Sequence, residues 1–312
     1  MKFGSRCFFS MQFIKLISSV ASFFLFPSYN KHSIINSMKR RTALFTTLFL
    51  IFITRPVFSL GGTLDYTPAF SLNPVNEGIE LTTGVLLSGT ALVFDKLVPI
   101  KENHYDPADW NINDIPNMDY FFMQDYSKPL HIVGTGTMIL SMFTPAMFAA
   151  LPSEEWLTVG TMYAETMLIA NGIKEWLKLI VYRARPYMYF DGYPQDKVDE
   201  GDWNCSFPSG HTTMAFTGAA FTTMLFCQYF PESKWKYAVA GTSFGIAALT
   251  GALRIASGNH FVSDVITGAI IGTVCGIAVP YFHTKQFYSK FEKHKNPDLN
   301  VSPMGINLSF RF

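Results

Sequence analysis

The chain has 312 residues, 49% of them hydrophobic and only 15% charged, with 30 phenylalanines. Soluble domains carry about 25% charged residues, so the composition leans towards a membrane protein. The formal net charge of +1 gives no global attraction to nucleic acid.

Two leader-like stretches open the chain. Residues 8–26 are apolar but diluted by Lys15 and several serines. The second starts at Met38 and reads Lys39-Arg40-Arg41, an apolar run to Phe52, then Pro56-Val57-Phe58-Ser59. A charged start, an apolar middle and small residues at the end describe a signal peptide, and an uncleaved anchor fits the same pattern. Residues 1–37 then form an upstream extension, 38–59 the signal or anchor, and 60–129 an exported segment. Within that segment, 79–100 has an uninterrupted apolar core only from Gly84 to Phe94, short of the about 20 residues that span hydrocarbon. An interfacial or half-buried helix is expected there, with a full span and a cytoplasmic N-terminus as the competing arrangement.

Five spanning candidates follow: Leu130–Leu151, Leu157–Val181, His211–Phe230, Trp235–Ala256 and Phe261–His283. Glycines recur along them, as where membrane helices pack closely. The expected fold class is all-α, a membrane bundle of five or six spanning helices with its core at 130–284 and a basic tail at 285–312. A soluble helical bundle with glycine-rich buried helices would share this pattern. Lysines at 234, 236, 285, 290, 293 and 295 place those loops in the cytoplasm by the positive-inside tendency. The loops 101–129 and 182–210 then face outwards. The expected location is a bacterial-type inner membrane with the site towards the periplasm, the alternative being a soluble periplasmic protein.

Chemistry-bearing residues gather at three loop–helix junctions on that outer side. Lys178 and Arg185, seven apart, would sit two turns apart on one side of a helix that Pro186 ends, a pair of cations suited to phosphate. Lys174 and Arg183 read as snorkelling cations at the membrane boundary. Pro208-Ser209-Gly210-His211 opens a helix with Ser209 as N-cap and Gly210 admitting close backbone approach to an anion. A capping or structural histidine is the plainer reading of His211. Arg254 ends one apolar segment, and His260 and Asp264 stand i, i+4, where a carboxylate can accept the imidazole N–H across one helix face. A purely structural pair fits that spacing equally well. The four cysteines are scattered and no CxxC or HExxH spacing occurs, so neither a disulfide framework nor a metal or cofactor site is legible.

Taken together, K-x6-R-P, P-S-G-H and R-x5-H-x3-D resemble the three-part signature of the type 2 phosphatidic acid phosphatase (PAP2) superfamily, which includes class A acid phosphatases and vanadium haloperoxidases. The resemblance covers roughly residues 130–284. One departure is Leu253, where the family commonly has serine before the arginine. The resemblance implies a phosphatase needing no metal or cofactor that works through a phosphohistidine. In it His260 is the nucleophile, Asp264 its orienting partner and His211 the acid and base. Lys178, Arg185, Ser209, Gly210 and Arg254 hold the phosphate. The implied partners are a membrane and a phosphorylated lipid or small phosphoester, with no nucleic acid. A soluble acid phosphatase of broad specificity and a non-catalytic anion-binding membrane protein are the alternatives.

Overall fold

The computed structural model describes residues 66–97, 111–199, 201–287, 298–302 and 305–309. The two leader-like stretches and the segment 98–110 lie outside them. The helices are α1 (Pro74–Leu97), α2 (Asn117–Phe121), α3 (Lys128–Met142), α4 (Ser153–Val181), α5 (Gln195–Asp199), α6 (Gly210–Tyr229), α7 (Lys236–Ala256) and α8 (Val262–Phe282). A 3₁₀ stretch, Thr144–Ala150, extends α3. Strands β1 (Asp298–Ser302) and β2 (Gly305–Ser309) form an antiparallel hairpin over the end of the tail, where the sequence alternates loosely.

The five expected spans thus appear as helices within a few residues of their boundaries. The helix expected within 79–100 is present and begins earlier, at Pro74. It is a continuous 24-residue helix, of which Pro74–Asp95 is long and apolar enough to cross a membrane. It lies alongside α4 in the same direction: Gly84 meets Leu168, Leu87 meets Gly172, and Phe94 stacks on Trp176 at 5.2 Å. Polar groups inside the pair are satisfied across it, Ser88 Oγ donating to the Leu168 carbonyl and Trp176 Nε1 to that of Leu87. The helix runs past its short apolar core because its polar residues pair with α4 instead of with water.

Helix α6 is the axis of the molecule, packed by α3, α4, α7 and α8. A seam of glycines lets α8 approach it. Gly268, Gly272 and Gly276 lie against backbone of Ser209, Thr213 and Thr217. The opposite face of α8 (Ile266, Ile270, Val274, Ile277) is exposed. A helix apolar on both faces, one of them uncovered, belongs in lipid. Four helical stretches among the described residues have the length and apolarity to cross a membrane: Pro74–Asp95, Lys128–Ala150, Lys236–Ala256 and Val262–Phe282.

Helices α4 and α6 fall outside that set for different reasons. Helix α4 carries Glu165, Lys174, Glu175 and Lys178. Helix α6 is rich in threonine, and Thr213, Thr217 and Thr222 each donate to the carbonyl four residues back. Those hydroxyls are satisfied within the helix and need no water.

The glycine seam makes a prediction. A Cβ at Gly272 would overlap the Thr213 carbonyl, whereas one at Gly245 meets nothing. Gly272→Ala should destabilise by about 1–3 kcal/mol, as overpacking does, and Gly245→Ala should be neutral or slightly stabilising. Thermal unfolding in detergent compares the two.

Candidate active site

Helix α4 ends five residues before Pro186. Its cap, Tyr182, takes a left-handed conformation (φ 49°), an unfavourable region for a bulky residue. The chain then runs extended through Arg185 (φ −79°, ψ 153°). Two backbone bonds fix this run against the following loop: Arg185 N donates to the Trp203 carbonyl and Ser206 N to that of Arg183. Lys178 and Arg185 therefore do not share a helix face, as the sequence spacing had suggested. Lys178 is on the last turn of α4, with Nζ beside Gly210 at the start of α6. A Cβ at Gly210 would stand 3.5 Å from that ammonium, so a side chain longer than alanine would reach into its space.

Arg185 is buried at 4% exposure, and each of its guanidinium nitrogens is used. Nε donates to the Asp202 carbonyl at 2.8 Å and Nη2 to Asp202 Oδ1 at 2.7 Å. Nη1 donates to the Asn259 carbonyl at 3.0 Å and lies 3.1 Å from His260 Nε2. Burial alone would lower the arginine's proton affinity, but the Asp202 carboxylate raises it above the ordinary value. In return, burial pushes Asp202 up while Arg185 and Lys178 hold it below the usual carboxylate range.

His260 sits just before the N-cap of α8, Phe261, so it is not on the helix with Asp264. Its Nδ1 is 2.8 Å from the Ser206 carbonyl and 3.6 Å from Asp264 Oδ2. The direct imidazole–carboxylate hydrogen bond expected from i, i+4 spacing is thus replaced by one to backbone. A carbonyl only accepts, so Nδ1 carries the hydrogen and Nε2 keeps its lone pair. Burial, then the positive field of Arg185, Arg254 and Lys178, lowers the ring's proton affinity well below that of a free histidine.

Asp264, with no exposed surface, spends its oxygens on other donors. Oδ2 accepts from Ser206 Oγ at 2.5 Å and Phe261 N at 2.9 Å, and Oδ1 from Arg183 Nη1 at 2.7 Å. Arg183 bridges onward to Asp119 at 2.8 Å and lies over the Phe261 ring. It is therefore a structural tie, not a snorkelling cation. Lys174 is likewise buried, paired with Glu175 and lying against Gly210.

Ser209 caps α6 by position only. Its hydroxyl pairs with Thr212 Oγ1, and its N–H donates to the Asp264 carbonyl. His211 Nε2 lies 3.0 Å from Thr135 Oγ1, which itself donates to the His131 carbonyl. That hydroxyl has no second hydrogen, so His211 Nε2 is the donor. Arg254 is 1% exposed, with Nη1 3.0 Å from His131 Nδ1 and Nε without a partner. Leu253 is buried against Gly134, so the position commonly held by serine serves helix packing here. The structure brings the three junctions into one site and adds Asp202, Ser206, Arg183, Asp119, His131 and Thr135. Of these only Arg183, inside the first junction, carried a local signal in the sequence, and its spacing read as a boundary cation.

Residues 160–288, which hold all three junctions, match the sequence model of the PAP2 superfamily. That segment, and with it the site, is similar to the PAP2 superfamily. Over 71 residues it is 42% identical to a lipid A 1-phosphatase of Porphyromonas gingivalis, covering 23% of this chain and 15% of that one. Over 152 residues it is 30% identical to lipid phosphate phosphatase 1 of Arabidopsis thaliana, covering 42% and 44%. The chain thus spans less than half the length of these curated relatives. Two solved PAP2-type structures also align. Aquifex aeolicus LpxE covers 55% of this chain and 98% of its own at 24% identity, with a TM-score of 0.38. A phosphatidylglycerolphosphate phosphatase from Bacillus subtilis covers 82% and 98% at 17% identity, with a TM-score of 0.32. Asp119, His131 and Thr135 precede the PAP2 match, so α2 and α3 complete the site from outside it.

The Arg183 bridge and the buried His260 each give a test. Arg183→Gln deprives two buried carboxylates, Asp119 and Asp264, of their cation and should cost about 3–5 kcal/mol, against under about 0.5 kcal/mol for a surface cation. Chemical denaturation of the detergent-solubilised protein separates these outcomes. His260 is neutral in the fold and protonates in the unfolded chain below the ordinary histidine value of about 6.5. Asp202, depressed by its cations, adds stability that is lost as pH falls through its folded value. Each group makes the unfolded state bind more protons, His260 as pH is lowered from 7 to 4 and Asp202 only below about 4, so His260→Asn should weaken the fall of the thermal midpoint between pH 7 and 4.

Proposed function

We propose that this chain is a membrane-embedded phosphatase that removes phosphate from a phosphomonoester or diphosphate group of a lipid, through a phosphohistidine. The observation that carries this reading is the tautomer of His260. Its Nδ1 hydrogen is held by the Ser206 carbonyl, and its bare Nε2 faces Arg185. That nitrogen attacks phosphorus. As the N–P bond forms and the P–O bond to the lipid breaks, His211 passes a proton to the leaving alkoxide. Water then attacks the phosphohistidine and gives its proton to His211. The P–N bond breaks, and phosphate leaves.

Lys178, Arg185, Arg254 and the α6 N-terminus at Ser209 and Gly210 stabilise the charge that spreads over the phosphoryl oxygens, where most catalysis of phosphoryl transfer resides. Asp264 acts one step removed, fixing Ser206 and the turn at Phe261 and thereby His260. It is a positioning residue in this scheme.

A lipid substrate is supported by the uncovered apolar faces of the helices and by the names of the relatives, which are phosphatases of lipid A and of lipid phosphates. Loop lysines favour the site on the outer face. Helix α1 runs parallel to α4, and the segments at Phe70 and Thr284 bridge at the opposite end. With α1 as a sixth span, both of those segments lie on the cytoplasmic side, which favours the arrangement with a cytoplasmic N-terminal end.

Two variants test the scheme. His260→Ala should abolish phosphate release with folding retained, and acid-labile phosphate should be trapped on His260 of the unaltered protein. Arg254→Ala should lower kcat by about 10²–10³-fold, the loss typical of removing one transition-state donor. Unchanged release by the His260 variant would remove His260 from the nucleophile role, and no release by the unaltered protein would support a non-catalytic anion-binding role. A panel of phosphatidate, phosphatidylglycerol phosphate, undecaprenyl diphosphate, lipid A and sugar phosphates identifies the substrate. Preference for the sugar phosphates would favour the soluble-type acid phosphatase activity.

A further inference from the structure

At the end of the bundle away from the phosphate site, four titratable side chains converge on one point. His283, just past α8, has no exposed surface. Its Nε2 lies 3.1 Å from Glu77 Oε2, 3.2 Å from Glu165 Oε2 and 4.0 Å from Glu80 Oε2. Glu77 and Glu80 come from α1 and Glu165 from α4, so three helices meet here. The donor atoms of Glu77, Glu165 and His283 all lie within 4.8 Å of one another.

Hydrogen bonds leave this cluster incomplete. His283 Nδ1 is 2.8 Å from the Val279 carbonyl, which only accepts, so Nδ1 holds the hydrogen. Nε2 is then a lone pair in the neutral ring. If that nitrogen were protonated, its single hydrogen would go to Glu77 Oε2, the partner with hydrogen-bond geometry. Glu165, at 0% exposure, has no hydrogen-bond donor on either oxygen, and Glu80 Oε2 is also buried without one. Three carboxylate oxygens turned inward with no donor are costly in a dry interior.

We propose that this cluster is a structural site for a divalent cation, coordinated by Glu77, Glu165 and His283, with Glu80 as the fourth donor. An imidazole nitrogen with carboxylate oxygens suits Zn²⁺ or Mn²⁺. Donors at about 2.0–2.2 Å from a tetrahedral ion stand about 3.4 Å apart, close to the separations from His283. Glu77, Glu80 and Glu165, a neutral imidazole and a 2+ ion sum to −1, and to zero where Glu80 binds as the neutral acid. The supports expected around metal ligands are present: Val279 orients His283, and the Asn73 N–H holds Glu77 Oε1. Thirteen residues of α4 separate Glu165 from Lys178, about 20 Å at 1.5 Å per residue, so the ion lies far from the transferred phosphate. Its role is to clamp α1 and α4 to the end of α8.

The test uses the full-length protein in detergent, stripped with chelator and then titrated with Zn²⁺ or Mn²⁺ alone. About one ion per chain should survive gel filtration and raise the thermal midpoint by about 5 °C or more. Glu165→Gln and His283→Gln should each lose both the ion and the shift. Zinc-edge X-ray absorption on the unaltered protein should show one imidazole nitrogen and otherwise oxygen, which decides the matter even if neither variant folds. The proposal is overturned if the unaltered protein retains no ion or shows no shift. It is overturned equally by a variant that keeps both, or by a coordination shell containing sulfur or several histidines.

Discussion

The structure turns on one carboxylate that has no contact with water. Asp264 is wholly buried, and an ion withdrawn from solvent persists only if charge and hydrogen bonds replace hydration. The groups that replace it come from separate parts of the chain: the Arg183 guanidinium after α4, the Ser206 hydroxyl before α6 and the Phe261 N–H at the start of α8. The Asp264 carbonyl also receives the N–H of Ser209, and Arg183 draws in Asp119 of α2. Satisfying one side chain thereby fixes the relative positions of the loops that carry Arg185, Gly210 and His260. Catalytic geometry follows from the solvation needs of a residue that need not touch the substrate.

The same logic governs Arg185. Its guanidinium is held by two carbonyls and the Asp202 carboxylate, leaving it rigid beside His260 Nε2. A bidentate fork held this way loses little side-chain freedom when a phosphoryl group arrives. Arg254 contrasts with it. Its Nε has no partner and Nη1 meets only the neighbouring His131 ring, so donor capacity remains for an incoming anion.

Much of this was legible in the residues. The five later helices showed as apolar runs, and the three junctions were apparent because charges are scarce enough for each to stand out. What stayed hidden depended on partners distant in sequence. Asp202 looks like any acidic loop residue beside Asp196 and Asp199, and only the fold sets it on Arg185. Spacing put His260 and Asp264 on one helix face, but α8 begins after His260, so the imidazole turned to Ser206 instead. Arg183 read as a boundary cation because its two carboxylates lie 64 and 81 residues away. Helix α1 was underestimated since its glutamates look like interruptions until Glu165 and His283 are placed against them.

The threonines of α6 have a consequence for biogenesis. Helix α6 bonds threonine hydroxyls to its own carbonyls and sets small residues such as Gly218, Ala219 and Ala220 among its phenylalanines. It becomes a stable membrane element only when α8 settles along the glycine seam. The N-terminal ends of α6 and α8 carry His211 and adjoin His260, so the docking that rescues α6 from lipid also joins the two histidines. In the proposed scheme, nucleophile and acid come together only once α6 and α8 have docked.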